Sequence, residues 1–283
     1  MCEMPLPGRA TADLTCVRLE FGEDPQGVAE PPQALQDLAD ASLEPEERAA
    51  WDALRSAPRR REWLMGRLAA KDAVRHRLEA TRGLAAARDA IAIRPDAWGR
   101  PRVAGPAVAT AGTPISVSIA HTRGVAAAVA GETSDGLGLD IERTDRRRGD
   151  YERAAFSDEE RRRLDAGPAD RRVERALRLF CAKEAVAKAI GRGLLGSPLN
   201  LSVVDCDAEV TRADLEVAGS LARALPGLRG RRLTAWIGTS DRIVVAWARC
   251  EAPPVPWRAV GADDVGDPQE REPAAPSATP ALT

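Results

Sequence analysis

The sequence predicts an α+β protein made of two similar halves, each a long helix packed on an antiparallel sheet. Four pairs of segments resemble each other in the same order along the chain: 43–54 and 156–167, 68–74 and 180–186, 99–101 and 196–198, and 115–131 and 233–248. The last pair reads as two apolar strands about a tight turn. A duplicated α+β unit with approximate two-fold symmetry explains this order, and its halves would meet along a cleft, where ligands commonly bind.

The helices follow from capping and periodicity. Acidic first turns at 43–54 and 156–167 predict helix starts. The main helix of the second half is predicted to run from a cap at Asp170 to Gly191. One of its stripes, at spacings of three and four, carries Val173, Leu177, Phe180 and Glu184. A carboxylate on an apolar stripe is costly unless it is neutralised, and Lys188 one turn later is the local partner.

The predicted organisation has four parts. The segment GETSDG at 131–136 is short, polar and flanked by glycines, so it is expected to connect the halves. The predicted parts are a loose N-terminus at 1–12, a first half at 13–131, a second half at 132–251 and a disordered tail at 252–283. The tail is rich in Pro and Ala without an apolar period, and such a composition buries too little surface to order itself.

Composition excludes several classes of protein. The 283 residues include 44% hydrophobic and 30% charged residues, which is typical of a globular chain. With 41 basic and 43 acidic residues, the net charge of −2 gives no reason to expect a nucleic-acid partner. Five cysteines without CxxC spacing favour reduced thiols and a cytoplasmic location. No window of about 18 apolar residues and no signal sequence are found, so no membrane association is expected.

The stretch GLGLDIERT at 136–144 carries the first sign of chemistry. Read as a strand, it sends Leu137, Leu139 and Ile141 to one face and Gly138, Asp140 and Glu142 to the other. Alone, DIE is typical of the solvated face of an edge strand, and KEAVAK at 183–188 of a surface salt bridge. Together they offer three carboxylates without histidine or thiol, and that set suits Mg²⁺ completed by water and substrate phosphates.

The motifs SIAHT, GLGLDIE, FSDEE and FCAKEAVAKAIGRG, in this order, resemble the 4′-phosphopantetheinyl transferase superfamily. The chain also resembles the large single-chain branch of this superfamily, similar to the surfactin-synthetase activating enzyme and built from two similar halves, and the resemblance covers roughly residues 15–250. WLMGRLAAK and WGRP in the first half are also similar. The resemblance implies transfer of the phosphopantetheine arm of coenzyme A to a serine of an acyl or peptidyl carrier protein, with release of 3′,5′-ADP.

The resemblance also implies roles for individual residues. The implied Mg²⁺ ligands are Asp140, Glu142 and Glu184, and the implied catalytic lysine is Lys188. The implied coenzyme A contacts are Arg67, Lys71, Arg100, His121, Thr122 and Lys183. Glu160 matches an acid sometimes assigned as the base for the serine, but Glu184 or a metal-bound hydroxide would also serve. Ala120 replaces a frequent serine and Arg100 a frequent lysine, which puts one hydroxyl contact and the geometry of one phosphate contact in doubt.

Two other classes of function stay open from the sequence. One is a non-catalytic module that binds coenzyme A or a nucleotide. The other is a structural protein whose Arg-rich surface binds an acidic partner. If the chain is a transferase, the arginines at 146–148 and 161–163 are candidates for steering an acidic carrier, whether from fatty acid, polyketide or peptide synthesis. Joining both halves in one chain also predicts a monomer.

Overall fold

Two antiparallel sheets are stacked face to face, and a long helix covers the outer face of each. The computed structural model describes residues 2–8, 11–21, 33–145 and 151–251. Its helices are α1 (Gln33–Asp40), α2 (Pro45–Asp52), α3 (Ala57–Arg82), α4 (Pro106–Ala111), α5 (Tyr151–Ala155), α6 (Asp158–Asp165), α7 (Arg172–Ile190) and α8 (Gly219–Ala224). Its strands are β1 (Cys2–Glu3), β2 (Leu14–Glu20), β3 (Ala92–Pro95), β4 (Pro101–Ala104), β5 (Ser116–Thr122), β6 (Val125–Gly131), β7 (Gly136–Arg143), β8 (Leu201–Cys206), β9 (Arg212–Val217), β10 (Leu233–Ser240) and β11 (Ile243–Cys250).

The first sheet has the order β1-β2-β6-β5-β4-β3 and the second the order β7-β11-β10-β9-β8. The predicted final hairpins are both present. The β5–β6 hairpin turns at Gly124, whose φ is 74°. The β10–β11 hairpin turns at Asp241 and Arg242, with φ of 48° and 62°, and two left-handed residues in succession match the twist of the paired strands. The α+β prediction is confirmed, while the two-fold relation between the halves stays a prediction.

Strand β6 shows why the central layers are rich in alanine. Val125, Ala127 and Val129 belong to the core between the sheets. Their neighbours Ala126, Ala128 and Ala130 belong to the core under α3. Both faces are therefore buried, and the small side chains let the helix lie close to the sheet. The core between the sheets also contains Leu137, Leu139 and Ile141, as their period of two predicts.

The start of α7 differs from the prediction. The helix begins at Arg172, and Asp170 lies within a preceding 3₁₀ turn, Ala169–Arg171. The N-cap is Arg171, which makes no side-chain capping bond. Because the chain enters the helix through this tighter turn, Asp170 is placed too early to cap it. The end of the helix is as predicted, with a left-handed Gly191 (φ 78°) as its C-cap.

The ends of the chain were predicted to be loose and disordered. Within residues 2–8, β1 pairs with β2, and the indole of Trp247 donates to the carbonyl of Pro7 at 2.6 Å. The predicted tail at 252–283 lies outside the described residues. In the part of the chain that is described, no helix is both long and apolar enough to span a membrane.

Candidate functional site

A cleft of about 370 Å³ lies where α3, β5 and the turn before β4 meet β7 and the end of α7. Its walls are formed by Glu62, Trp63, Gly66, Arg67, Trp98, Gly99, Arg100, Pro101, Val117, Ser118, Ile119, His121, Leu137, Lys188, Gly191 and Gly193. These residues come from both sequence repeats. The two predicted halves of the chain therefore both contribute to the cleft.

Two glycines allow α7 to lie directly on β7. A Cβ on Gly138 would fall 1.8 Å from the carbonyl oxygen of Ala185, and one on Gly136 would fall 1.9 Å from that of Ala189. No side chain fits at either position, so the strand and the helix touch backbone to backbone. This contact brings the polar face of β7 against the last two turns of α7.

The contact between β7 and α7 joins Asp140 to Lys188. The ammonium nitrogen of Lys188 donates to Oδ1 of Asp140 at 2.8 Å and to the carbonyl of Leu139 at 3.0 Å. Burial opposes the charge of Lys188, but Asp140 and then Glu184 outweigh burial and raise the pKa of the lysine above its ordinary value. Lys188 is therefore a charged donor at the floor of the cleft.

The second oxygen of Asp140 is available for a ligand. Oδ2 is buried and accepts no hydrogen bond. A buried carboxylate oxygen without a partner costs folding free energy, and such atoms are commonly satisfied by an ion or a ligand. The Cys181 thiol also contacts this carboxylate, and burial, then Asp140 and Glu142, raise the pKa of the thiol. The thiol is therefore neutral and inert at neutral pH.

Glu142 and Glu184 lie near the same junction, since their charges reach Cys181 and Lys188 respectively. Across the described ranges, however, no group of three or more His, Cys, Asp or Glu side chains is placed to hold a metal ion. The donors still suit Mg²⁺ chemically, because that ion takes one or two carboxylates and fills its other positions with water and substrate phosphates. The orphaned Oδ2 of Asp140 is one oxygen that could serve as a ligand for it.

The wall contributed by the first half is cationic. Arg67, Arg100 and His121 line the cleft, and their side chains make no hydrogen bond or ion pair with any described residue. The guanidinium of Arg67 stacks 4.5 Å from the ring centre of Trp63. Burial lowers the pKa of all three groups. Glu62 also lines the cleft and its charge reaches His121, but the guanidinium groups of Arg67 and Arg100 are partly buried cations without an ion pair among the described residues, and such groups suit an anionic ligand.

Lys183 and Glu160 do not line the cleft, although both were expected in the site. They are buried and paired with each other at 2.9 Å, and Lys183 also donates to the carbonyl of Ala155 at 2.7 Å. Glu160 further accepts from the backbone N–H groups of Ser157 and Val203, each at 2.8 Å. Its carboxylate is thus occupied by the cap of α6, by β8 and by α7. This is a structural clamp, and its contacts argue against a base role for Glu160.

The first half contains the same clamp. Lys71 pairs with Glu47 at 2.5 Å and donates to the carbonyl of Ser42 at 2.7 Å. Glu47 accepts from the backbone N–H of Ile93 at 3.0 Å and from that of Glu44, in the capping box of α2. Lys71 is therefore buried in a structural pair and does not line the cleft, so these contacts argue against the expected contact with coenzyme A. Thr122, also expected to contact the ligand, follows His121 but does not line the cleft.

The acid next to this lysine differs between the halves. In the first half it is Asp72, which is fully buried and ion-paired with Arg88 at 2.7 Å and with Arg75 at 3.0 Å. In the second half it is Glu184, whose charge acts on Lys188 at the cleft. The acid of the first half therefore has a structural role. The aligned segments LAAKDAV and FCAKEAV differ at this position, with Asp72 in the first half and Glu184 in the second.

The structure adds residues that sequence reasoning missed. Trp63 and Trp98 line the cleft, and the guanidinium of Arg192 lies 4.0 Å from the ring centre of Trp98. Two glycines flank Arg192 in GRG, a signal of special backbone geometry. The arginines proposed to steer a carrier are paired locally where described: Arg162 and Arg163 contact Glu159, and Arg161 contacts Asp158. Residues 146–148 lie outside the described residues.

Comparison with known proteins supports the resemblance for the part of the chain that carries the acids and Lys188. No curated protein sequence matches the chain. The narrower likeness to the surfactin-synthetase activating branch stays a prediction. Residues 136–224, from β7 to α8, match the family model of the 4′-phosphopantetheinyl transferase superfamily, and this match supports phosphopantetheinyl transfer as the general function of the chain.

Proposed function

We propose that the protein transfers the 4′-phosphopantetheine arm of coenzyme A to a serine of an apo acyl or peptidyl carrier protein and releases 3′,5′-ADP. One observation carries the proposal: in the cleft, Arg67 and Arg100, whose side chains make no ion pair with a described residue, face Lys188, which is paired with Asp140. That pair lies inside the segment that matches the superfamily. A ligand with several phosphates and a reactive diphosphate satisfies both sides of this cleft.

The cationic wall would bind the phosphates of coenzyme A. Arg67, stacked on Trp63, and Arg100 each present a planar guanidinium suited to bidentate contact with a phosphate. His121 is neutral in the free cleft because burial lowers its pKa, and a bound phosphate would favour its protonation. These contacts position the diphosphate over Lys188.

In the proposed reaction, the serine oxygen attacks the phosphorus that bears the pantetheine arm. The bond from this phosphorus to the oxygen of the departing 3′,5′-ADP breaks, and the serine proton passes to a base. Lys188 would donate to the oxygen on which charge develops, and a fixed donor of this kind stabilises the transition state. Glu184, one turn before Lys188, is the carboxylate we propose as the base, because Glu160 is occupied in its clamp.

Asp140, with Glu142 or Glu184, would hold a Mg²⁺ ion at the orphaned Oδ2, completed by water and the diphosphate. When bound, the ion would neutralise charge on the non-bridging phosphate oxygens. The chain's own part is to keep Asp140 fixed through Lys188 and through the contact of β7 with α7. We further propose that the protein is a monomer, because both walls of the cleft come from one chain. We also propose a cytoplasmic location, because its five cysteines have no disulfide-type spacing.

Release of 3′,5′-ADP tests the proposal. The protein is incubated with coenzyme A and Mg²⁺ and with each of several apo carriers, and the nucleotide is quantified by chromatography. We expect release with at least one carrier, and none with the same carrier when its acceptor serine is replaced by alanine. Binding of coenzyme A without release from any carrier would instead support the non-catalytic module, and no binding would support the structural protein.

A further inference from the structure

The loop that follows α7 places a third arginine, Arg192, beside the cleft, next to Arg67 and Arg100 of its wall. Gly191 and Gly193 line the cleft and have left-handed φ values of 78° and 58°. The turn that they allow brings Arg192, between them, over the indole of Trp98, which belongs to the turn before β4 in the first half. Arg192 thus reaches from the end of α7 to a tryptophan of the wall that the first half contributes.

The guanidinium of Arg192 has no polar partner among the described residues. Its Nε is buried without a hydrogen bond, and Arg192 makes no ion pair with a described residue. Other arginines with a buried unpartnered Nε satisfy their terminal nitrogens, as Arg18 does with Asp241 and Arg249 with Asp13. Across the described chain, only Arg67 and Arg192 among these buried groups have neither an ion pair nor a hydrogen bond.

Arg67 and Arg192 share one arrangement. Each stacks on a tryptophan of the cleft wall, Arg67 on Trp63 at 4.5 Å and Arg192 on Trp98 at 4.0 Å. Stacking fixes the plane of a guanidinium and leaves its N–H edge open, which lowers the entropy lost when that edge binds a ligand. The buried Nε–H of each arginine lacks a partner, which is costly, and a phosphate oxygen in the cleft would satisfy it.

We propose that Arg192 is a ligand-binding residue that donates to a phosphate group of the ligand in the cleft, with Trp98 as the platform that orients its guanidinium. The inference rests on the proposed function for the identity of that ligand, coenzyme A. It assigns to the second half of the chain a phosphate contact beyond Lys188. It also explains why a tryptophan that is 43% exposed, Trp98, lines the cleft.

The test compares binding of three ligands by calorimetry: coenzyme A, 3′-dephospho-coenzyme A, and pantetheine, which has no phosphate and is measured by competition. We expect Arg192→Ala to weaken coenzyme A binding by about 10- to 100-fold, the range for a lost charge-assisted hydrogen bond. Arg192→Lys keeps the charge without the planar fork and should fall between. Trp98→Ala should weaken binding by a few-fold while Trp98→Phe retains it. Arg48→Ala is the control, because Arg48 also stacks on an indole, that of Trp51 at 5.0 Å, but away from the cleft.

The pattern across ligands identifies the contact. A penalty that disappears with 3′-dephospho-coenzyme A assigns Arg192 to the 3′-phosphate, and one that persists assigns it to the diphosphate. An Arg192→Ala protein that binds coenzyme A as the unmodified protein does would overturn the inference, as would an equal penalty with pantetheine. Failure of the unmodified protein to bind coenzyme A would instead overturn the proposed function. Thermal melting of each variant shows whether it is folded at the assay temperature.

Discussion

Asp140 offers one carboxylate oxygen to Lys188, at 2.8 Å, and keeps the other buried without a partner. One oxygen of Asp140 thus stabilises the contact with α7, and the other can bind a ligand. Its neighbours Gly136 and Gly138 make the arrangement possible by letting α7 rest on the backbone of β7. The first predictions concern this junction.

Replacement of the acids should abolish transfer. We expect Asp140→Ala and Glu184→Ala to remove activity while the fold is kept, and Asp140→Asn to lower turnover by about 10²- to 10³-fold, as for other losses of a group that stabilises transition-state charge. Turnover is measured on a carrier that the unmodified protein modifies. Glu159→Gln is the control, because Glu159 forms an exposed pair with Arg162. Folded, fully active Asp140 and Glu184 variants would refute the assignment.

A side chain placed between β7 and α7 should be as damaging to turnover as removal of the Asp140 carboxylate. In Gly138→Ala the new methyl group would overlap the carbonyl of Ala185, so the helix must move away and carry Lys188 from Asp140. We expect a loss of about 1–3 kcal/mol or more in unfolding free energy, together with loss of turnover. Denaturant titration and a turnover assay test this. Gly227→Ala is a suitable control because nothing lies within 4 Å of its Cβ position.

The two buried Glu–Lys clamps should contribute similarly to stability. Lys183→Met leaves Glu160 buried without its cation, and Lys71→Met does the same to Glu47. Removing one partner of a buried pair costs about 3–5 kcal/mol, so both variants should melt well below the unmodified protein. The measurement is the free energy of unfolding by urea.

The clamps also separate structure from catalysis. Glu160→Gln keeps the shape of the side chain, and we expect it to lower stability while it retains transfer at a temperature where it is folded. A stable Glu160→Gln protein without activity would show that Glu160 is the base and that our reading of the clamp is wrong. A double-mutant cycle of Glu160 with Lys183 should give strongly non-additive stability, since each single change breaks the same pair.

Ligand binding should be coupled to proton uptake at His121. Burial lowers the pKa of His121, so the imidazole is neutral in the free protein near neutral pH. A nearby phosphate favours the protonated form, and the complex would bind more protons than the separate partners. Affinity for coenzyme A through this group should therefore rise as pH falls toward the ordinary pKa of histidine. Binding enthalpies in buffers of different ionisation enthalpy measure the uptake, and His121→Gln should reduce it. Equal uptake in that variant would exclude His121 from the contact.

The same lowered pKa has a consequence for stability. The pKa of His121 is lower in the folded protein than in the unfolded chain. As pH falls, the unfolded chain therefore binds a proton at this residue first. The contribution of neutral His121 to stability is present above the unfolded pKa and is lost as pH falls through the folded pKa. We therefore expect the unmodified protein to lose more stability than His121→Gln between neutral and mildly acidic pH, as followed by thermal melting.

Local pattern was enough to predict much of the fold. The period of two in 136–144 correctly separated Leu137, Leu139 and Ile141 from the polar face of β7. The apolar strands about tight turns correctly predicted both final hairpins, and the helix pattern correctly predicted the glycine that ends α7. These features depend on neighbours within a few residues. The predicted start of α7 was wrong, because Asp170 lies in a 3₁₀ turn that precedes the helix and so does not cap it.

The site was harder to predict, because burial decides the role of a charged side chain. Lys183 and Glu184 are adjacent, yet one points into a clamp with Glu160 and the other acts on Lys188. Sequence spacing alone cannot separate these directions. Trp63, Trp98 and Arg192 were missed for a related reason, since a tryptophan at a cleft and one in a core look alike in sequence.

The most direct test of the account is the intact mass of an apo carrier after incubation with the protein, coenzyme A and Mg²⁺, measured beside the Asp140→Ala variant. We predict that the unmodified protein increases the carrier mass by one phosphopantetheine arm on its serine and that the variant leaves the mass unchanged. An unchanged mass across a broad panel of apo carriers, from a folded protein that binds coenzyme A, would contradict the central claim.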